Sequence, residues 1–375
     1  KPRKVFNVRK YGAVSDGRTE SSKAFLEAWK DACEWRGRTK VVIPKGEYVL
    51  DSVVFQGECK GPIAFQLKGT LKPAGNLKDT TRWITFRYVD RLTISGGGYF
   101  DGQGERLWDC TTNPHCYQRA ISLRLESISN GKVHHIRSVN SQNAHMSLYG
   151  CNKMEIYKVR LTAPEESPNT DGIKIGGSEQ VRIWGSKIGT GDDCVAIVAG
   201  SKNINISDVH CGPGHGISVG SMGGYPGLKE DTVVGVTVQD CTFDGTDHGI
   251  RIKTRSSPNP GLASNFHYRN IRMINVRKPI MIDQHYCPNP PCHEFNTPSH
   301  IQIKDLTFDN IWGTSATQVA LTLNCSAKYP CTDILLKNIN LHSASVGDTH
   351  GGPTTSSCAY ANGRSYGTQN PPPCF

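Results

Sequence analysis

The spacing of apolar residues is helical in one early segment of the chain. Five apolar residues recur there at steps of three and four, with charged residues between them: Ala24, Phe25, Ala28, Trp29 and Ala32. This is the spacing of a helix with one buried face. Thr19 and Ser21 precede the run and carry side chains that commonly cap a helix start. The pattern predicts one amphipathic helix over residues 21–35.

The remaining pattern predicts strands and turns. From about residue 40 to residue 342, short segments of β-branched or apolar residues alternate with polar ones and are separated by Gly, Asn, Asp and Ser. Residues 343–375 are rich in Gly, Ser, Thr and Pro, and Cys358 and Cys374 are their expected anchors. We predict that this segment is a C-terminal tail stapled by a disulfide.

Two series of strands repeat along the chain. In the first, a polar residue precedes a short apolar strand, with steps of 22, 22 and 33 residues between copies: 171–175, 193–197, 215–219 and 248–252. The last step contains a Gly- and charge-rich insertion over 223–231. A second series of apolar segments alternates with the first: 154–156, 181–183, 204–206, 236–238, 271–273, 301–303 and 334–336.

This period restricts the fold class. A period near 22 residues with several short strands is typical of a parallel β-helix. Leucine-rich repeats would require their Leu-x-x-Leu-x-Leu framework, which is absent, and a propeller would require about twice the period. We therefore expect an all-β fold, a parallel β-helix or solenoid that forms a single domain over residues 1–375, with the helix at 21–35 as its N-terminal cap.

The repeat brings polar side chains together. Residues at equivalent positions of successive turns lie about 4.8 Å apart, so Asp171, Asp193 and His215 are expected to form a column. Three more polar residues are expected on the same face: Asp192, Arg251 and Lys253. Adjacent carboxylates raise the pKa of at least one member. The cluster therefore suits acid–base chemistry.

Each of these residues also has a structural interpretation. The pair Asp192-Asp193 is typical of a turn that caps a strand, and Arg251 and Lys253 could be solvated outward positions. The steps of 22 residues favour the functional interpretation, because chance turns would not keep one register. The Gly-x-Ser-x-Gly segment at 216–220 lies on a repeat strand with no helix after it, so it does not indicate a nucleophile elbow. His134-His135 has no third ligand in register, and we expect no metal and no cofactor.

The charge balance favours an anionic partner. Lys and Arg total 43 against 33 Asp and Glu, a net charge of +10. Nucleic acid, acidic lipid and acidic polysaccharide all fit this charge. The chain has no reader motif or aromatic platform for nucleic acid. No stretch approaches 18 apolar residues and the first residues lack a signal-peptide core, so we expect a soluble chain that does not enter membranes.

Cysteine usage indicates an oxidising compartment. There are 14 cysteines but no Cys-x-x-Cys, so disulfides are favoured over zinc. Three local pairs are candidates: Cys110 with Cys116, Cys287 with Cys292, and Cys325 with Cys331. Cys194 and Cys211 are further candidate disulfide cysteines. Asn205 and Asn324 begin Asn-x-Ser tripeptides and are candidate glycosylation sites. Together these features predict a secreted, extracellular protein.

Four short motifs lie in this register: Asn169-Thr170-Asp171, Gly191-Asp192-Asp193, Gly214-His215-Gly216 and Arg251-Ile252-Lys253. In order and spacing they resemble the signature motifs of the polygalacturonases, glycoside hydrolase family 28, and the plant members most of all. The similarity runs from residue 6 to residue 286. The resemblance implies a right-handed parallel β-helix that hydrolyses α-1,4 bonds of galacturonan, the anionic backbone of pectin, with inversion at the anomeric carbon.

The resemblance also implies catalytic roles, residue by residue. Asp192 matches the general acid that protonates the leaving oxygen. Asp171 and Asp193 match the pair that holds and deprotonates the attacking water. Inverting carboxylates stand about 6.5–9.5 Å apart, which leaves room for that water. His215 would orient the acid or a sugar hydroxyl.

Five residues are implied to bind substrate. Arg251 and Lys253 would bind the uronate carboxylates that flank the cleaved bond. Tyr286 resembles a family aromatic that contacts the sugar, and Asn169 belongs to the first motif. Lys174 stands where many relatives carry histidine, and would add affinity for carboxylates.

Other functions remain open at this point. A pectate lyase would share the fold and substrate but would need calcium ligands, which are not evident. A non-catalytic pectin-binding protein would not need the intact acids. The mode of cleavage depends on loops such as 223–231 and the one around 289–291. We expect an open groove that cuts within the polymer, with cutting from the chain end as the alternative. We expect a monomer, and an inhibitor protein is a candidate partner.

Overall fold

The computed structural model describes residues 3–109, 118–224, 231–288, 290, 292, 297–344 and 352–375. The chain divides into two compact units. The first comprises Lys1–Lys174 and Ser178–Asp192, and the second comprises Ile175–Gly177 and Asp193–Phe375. The strands of each unit pair in parallel, and the predicted all-β, parallel β-helix class is confirmed.

One α-helix is present among the described residues, α1 (Ser22–Glu34). It lies inside the predicted 21–35 span and buries its apolar face, with Phe25 fully buried and Trp29 3% exposed. The Trp29 indole Nε1 donates to the Gln56 carbonyl oxygen at 3.0 Å. Two short 3₁₀ turns complete the helical content of the described residues: Val8–Tyr11 and Gly104–Arg106.

Strands make up most of both units. Those of the N-terminal half are β1 (Lys4–Asn7), β2 (Asp16–Glu20), β3 (Thr39–Ile43), β4 (Glu47–Leu50), β5 (Val53–Gln56), β6 (Ile63–Leu67), β7 (Thr70–Pro73), β8 (Arg82–Arg87), β9 (Leu92–Ser95), β10 (Tyr99–Asp101), β11 (Ile121–Glu126), β12 (Ser129–His134), β13 (Arg137–Val139), β14 (Met146–Tyr149), β15 (Asn152–Tyr157), β16 (Arg160–Thr162), β17 (Ile173–Gly176) and β18 (Glu179–Gly189). Those of the C-terminal half are β19 (Val195–Ile197), β20 (Ser201–Cys211), β21 (Ile217–Met222), β22 (Asp231–Gln239), β23 (Thr242–Asp244), β24 (His248–Thr254), β25 (Pro260–Val276), β26 (Lys278–Asp283), β27 (His300–Ser315), β28 (Val319–Asn324), β29 (Cys331–Ser343), β30 (Thr355–Ala359) and β31 (Ala361–Asn370).

In the first unit, equivalent residues of successive turns pair in register. Val133 of β12 pairs with Ile156 of β15, which pairs with Ile183 of β18. All three are fully buried. Because side chains alternate across a strand, the residues between them face outward. The alternation read from the sequence therefore sets which residues form the core.

The second unit contains two such ladders. One runs β19, β21, β24, β26, β28 and β30, and the other runs β20, β22, β25, β27, β29 and β31. In the first of these ladders Ile252, Ile282 and Leu323 stack in register and are fully buried. Arg251 and Lys253 flank Ile252 in the sequence, so their side chains lie on the opposite face of β24.

The chain ends differ from the prediction. Strands β1 and β2 precede the helix, and β30 and β31 lie in the segment expected to be only a stapled tail. The tail is stapled as expected by Cys358–Cys374, but it also extends both ladders of the second unit. Its Gly- and Ser-rich composition hid the strands, because little apolar surface marks them. A single domain over residues 1–375 stays a prediction.

Five disulfides join described cysteines. Two of the predicted pairs are confirmed, Cys287–Cys292 and Cys325–Cys331. The candidate cysteines Cys194 and Cys211 are joined to each other. Cys33–Cys59, which ties α1 to the chain after β5, was not predicted. The predicted pair Cys110–Cys116 lies outside the described residues, as do most of the 223–231 insertion and of the loop around 289–291. Of the described helices, none has the length and apolar character needed to cross a membrane.

Candidate active site

In the first unit, a tight turn presents the Asn169-Thr170-Asp171 motif just before β17. Asn169 adopts a left-handed backbone with φ of 56°. The buried Thr170 hydroxyl lies 2.7 Å from the Ser167 hydroxyl and accepts a hydrogen bond from the Gly191 amide at 2.9 Å. A Cβ at Gly191 would collide with the Ser167 carbonyl. Because it has no side chain, Gly191 lets its segment of the chain pass close to the turn that carries Asn169.

The same unit holds Asp192 through Asn169. The Asn169 amide nitrogen donates to Asp192 Oδ2 at 3.3 Å, and its amide oxygen accepts from Arg119 Nη2 at 3.0 Å. Asp192 and Asp171 are both half-buried, so each carboxylate keeps some access to solvent. Asn169, predicted to bind substrate, thus supports the side chain of Asp192.

In the second unit, Asp193 lies at the centre of a buried ion cluster. Its Oδ1 accepts from Arg251 Nη2 at 2.6 Å and from the Ser218 hydroxyl at 2.7 Å, and its Oδ2 accepts from Lys253 Nζ at 2.9 Å. The Ser218 hydroxyl in turn accepts from Arg251 Nε at 2.9 Å. The three charged side chains are 2%, 7% and 9% exposed for Asp193, Arg251 and Lys253.

These contacts fix the charge of Asp193. Burial alone would raise its pKa, but the charges of Lys253 and Arg251 and the hydrogen bond from Ser218 outweigh burial and hold the pKa of Asp193 well below its usual range. The carboxylate is therefore ionised throughout the acidic and neutral range. The solvated alternative considered for Arg251 and Lys253 is wrong, because both cations are buried and paired.

His215 lies near a second carboxylate. Its Nε2 is 3.7 Å from Asp247 Oδ2, and Asp247 Oδ1 is 3.6 Å from Arg277 Nη1. The ring of His248 stands edge-on to His215, with 6.1 Å between ring centres. Burial and, after it, the nearby Arg251 charge lower the pKa of His248 to about 2. His248 is therefore neutral in the weakly acidic and neutral range.

The register of the second unit agrees with part of the predicted column. Val195 pairs with Ile217, so Asp193 and His215, each two residues earlier, occupy equivalent positions. The Cys194 amide donates to the Gly216 carbonyl at 2.7 Å, which continues the pairing towards the two motifs. Gly216 has a φ of 79°, and a Cβ there would collide with the His248 carbonyl.

Two predicted substrate-binding residues lie where they remain reachable. Tyr286 is half-buried and its ring centre is 5.2 Å from Lys253 Nζ, a cation–π contact. Lys174 is half-exposed on β17. Tyr286 therefore belongs to the ion cluster of the second unit. Lys174 is a half-exposed cation of the first unit.

Three residues near these groups were not predicted: Ser218, Asp247 and His248. Ser218 was considered only as a nucleophile and rejected. Its register partner on β24 is Arg251, which is the signal that could have placed it in the cluster. His248 begins β24, and Asp247-His248 aligns with Asp192-Asp193 and Gly214-His215 of the earlier copies, which is the signal that could have placed both residues in the site.

The remaining candidates concern glycans. Asn205 is half-exposed on β20. The Asn324 amide donates to Asp283 Oδ1 at 3.4 Å, and Ser326 of its tripeptide is fully buried. Asn205 is thus the more accessible glycan acceptor.

Comparison with known proteins identifies the family. A family model described as glycosyl hydrolases family 28 matches residues 33–368. The chain belongs to this family. An exopolygalacturonase of Arabidopsis thaliana is 43% identical over 366 residues, which cover 96% of this chain and 80% of that protein. An exopolygalacturonase of Platanus acerifolia is 42% identical over 373 residues, 98% of this chain and 97% of that one.

Solved structures agree with the fold of this family 28 chain. The crystal structure of an exopolygalacturonase from Thermotoga maritima superposes with a TM-score of 0.79, covering 97% of this chain and 91% of that one. Its sequence identity is 17%, so this likeness concerns the fold alone. The four motifs read from the sequence lie inside the matched range of the family model.

Proposed function

We propose that the chain is a polygalacturonase that hydrolyses the α-1,4 bonds of galacturonan with inversion, with Asp192 as general acid. One observation carries the proposal: two consecutive carboxylates have opposite environments. Asp193 is buried and held ionised by two cations, whereas Asp192 is half-exposed and is bound by a neutral amide. Carboxylates whose environments differ in this way are suited to different roles in one reaction.

The charge of each group suggests its step. Asp193, ionised in acid, suits the base side, and we assign to it and Asp171 the water that attacks the anomeric carbon. That water loses its proton to a carboxylate while Asp192 gives its proton to the leaving oxygen, so atoms and charge balance. His215, facing Asp247, would orient Asp192 or a sugar hydroxyl.

Arg251 and Lys253 have a double role in this proposal. They hold Asp193 in place, and they form the positive end of a site for uronate carboxylates. Tyr286, in contact with Lys253, would lie against the sugar. Asn169 and Lys174 would complete the binding residues, Asn169 through its support of Asp192. Binding is expected to weaken with salt, because the substrate is a polyanion and the chain carries a net charge of +10.

The test uses Asp192→Asn in the full chain. We expect at least a hundredfold loss of reducing ends released from polygalacturonate, with oligogalacturonate binding nearly unchanged, because the acid acts mainly in the transition state. Asn169→Ser serves as a matched control that removes the support of Asp192 but keeps its carboxyl, and we expect a smaller loss. Activity of Asp192→Asn near the wild-type rate would reject the assignment.

Cutting from the chain end is the second candidate mode. The sequence favoured an internal cut, but both relatives described above are exopolygalacturonases, which supports release of single galacturonates. The size distribution of products over time separates the modes. Monogalacturonate as the first and main product supports the exo mode, and early intermediate-sized oligomers support the endo mode.

Location and partners are also proposals. Five disulfides among the described cysteines support an oxidising, extracellular location, where Asn205 would be the first site to carry a glycan and Asn324 the second. The net charge of +10 supports binding to an acidic wall polymer. We propose a monomer, and sedimentation in the presence and absence of polygalacturonate would test this. An inhibitor protein stays a candidate partner.

A further inference from the structure

Three exposed cations stand one above another on the outer face of the first unit. Arg137 of β13 pairs in register with Arg160 of β16, and Arg160 pairs with Lys187 of β18. All three are exposed. Because neighbouring strands lie about 4.8 Å apart, the three side chains leave the sheet at that repeat. We call these three residues the cation column.

The column lacks carboxylate partners. In the part of the chain that the structure describes, no ion pair within 4.0 Å involves any of the three residues. Arg137 Nη1 instead donates to the Tyr99 hydroxyl at 2.6 Å, and its guanidinium lies 5.0 Å from the centre of that ring. Like charges directly opposite each other on neighbouring strands are destabilising. Among the described residues, the repulsion between the three cations is therefore not offset by an ion pair.

A neighbouring column on the same turns shows the contrast. Lys132, Glu155 and Arg182 also pair in register, on β12, β15 and β18. Here the middle residue is an acid: Glu155 lies 2.7 Å from Lys132 and 3.9 Å from Arg182. The fold thus accepts a carboxylate between two cations at this spacing, but the cation column has arginine at the corresponding position.

The surface at the column is concave. A depression of about 350 Å³ is lined by Tyr99, Arg137, Val139, Arg160 and Thr162. It combines a ring, two guanidinium groups and a hydroxyl, and so offers both charge and hydrogen bonds. The column is separate from Asp171. The Asp171 carbonyl accepts from the His145 amide at 2.8 Å, next to β14, and β14 belongs to a different sheet from β13, β16 and β18.

We propose that the cation column is an auxiliary binding site for an acidic polysaccharide. A linear polyuronate carries one carboxylate on each sugar, so its charges recur along a line, as the column's cations do. Arginine also donates two parallel hydrogen bonds to a carboxylate. The inference rests on the proposed function for the kind of polymer, since the substrate would be the same class of chain. The column would hold a long polymer outside the catalytic residues.

The site predicts a difference between long and short substrates. A short oligomer engages only the catalytic residues, whereas a long chain also contacts the column and gains from the second attachment. An exposed ion pair is worth a factor of about two in affinity. Loss of three such pairs should weaken polymer binding on the order of tenfold, and the effect should shrink with salt.

The test compares two triple variants in an Asp192→Asn background, which keeps the polymer intact. The first is Arg137→Gln, Arg160→Gln and Lys187→Gln. The matched control changes the net charge equally through three exposed cations elsewhere: Lys30→Gln, Arg272→Gln and Lys304→Gln. Affinity for polygalacturonate and for trigalacturonate is measured by calorimetry. We expect a tenfold loss for the polymer with the column variant alone, and less than a twofold change for the trimer.

Three outcomes would overturn the proposal: unchanged polymer affinity, an equal loss in the control, or an equal loss of binding to poly-L-glutamate, which would indicate a general polyanion surface. Melting temperatures of the variants check that each is folded. Failure of the proposed function would give a different experimental result. A wild-type chain that binds the polymer through the column but releases no reducing ends would refute the hydrolase and support the site.

Discussion

The buried ion cluster of the second unit allows a quantitative prediction. Asp193→Asn keeps the shape of the side chain but removes its charge. Arg251 and Lys253, with side chains 7% and 9% exposed, would then lack a counter-charge. Neither cation reaches water easily at this degree of burial. The substitution therefore leaves two buried positive charges close together.

Removing one partner of a buried ion pair costs about 3–5 kcal/mol, since the remaining charge is uncompensated. For a chain of 375 residues the unfolding entropy is about 0.8 kcal/mol/K. A loss of this size therefore lowers the melting temperature by about 4–6 °C. Ser218 adds to the loss, because its hydroxyl would donate to a neutral amide oxygen instead of a charged carboxylate oxygen.

The assay is thermal unfolding at pH 7, followed by circular dichroism. The matched control is Asp309→Asn, the same chemical change in the same unit, at a carboxylate that pairs with Lys337 at 3.6 Å on a partly exposed face. Exposed pairs contribute about 1 kcal/mol or less, so the control should melt within about 1 °C of the wild type.

Two results would refute the reasoning. An Asp193→Asn protein that melts within 1 °C of the wild type would mean that Arg251 and Lys253 reach solvent. A control that falls as far as Asp193→Asn would mean that burial is irrelevant to the effect. Adding Lys253→Met to Asp193→Asn should recover part of the loss, because it removes one of the two stranded charges.

Three further predictions follow from the same structure. The pKa of Asp193 is depressed in the folded state, so its contribution is complete above the unfolded pKa of about 3.9 and is lost below it; the melting difference between wild type and Asp193→Asn should be constant from pH 7 to 5 and shrink below pH 4. Replacing Cys33 and Cys59 by Ala opens a disulfide with a separation of 26 residues, which should cost about 3.5 kcal/mol, seen as a melting temperature about 4 °C lower; an unchanged value would contradict the loop-entropy argument. Asp247→Asn removes the carboxylate that lies 3.7 Å from His215 Nε2 and should lower kcat several-fold with little change in KM, because His215 loses a group that positions its ring; an unchanged kcat would show that Asp247 does not act through His215.

Much of the site could be read from the sequence because the fold is repetitive. Once the period is known, alignment in sequence becomes proximity in space, so Asp193 and His215 could be assigned equivalent positions from their spacing alone. The same reasoning failed for Ser218, which was compared with a nucleophile motif and not with its partner Arg251 on the next turn. The strands of the tail were missed because β30 and β31 carry few apolar residues.

Direction and burial were harder to predict. The alternation of residues placed Arg251 and Lys253 opposite the core residues of β24, but by itself it left open whether that face is solvated. The face is covered at this point, and the two cations lie inside the ion cluster. The pattern of residues along the chain predicts on which face of a strand a side chain lies, but it does not predict what covers that face.

The sequence by itself determined the strand period, the β-helix class, the family motifs and the local disulfide pairs Cys287–Cys292 and Cys325–Cys331, because each depends on residue types at fixed spacings. The tertiary structure decided the charge of Asp193, the support of Asp192 by Asn169, the contact of His215 with Asp247 and the contrast between paired and unpaired cation columns. These depend on distances of a few ångströms between side chains on different turns. Electrostatic energy varies steeply over such distances and with burial, and spacing along the chain specifies neither.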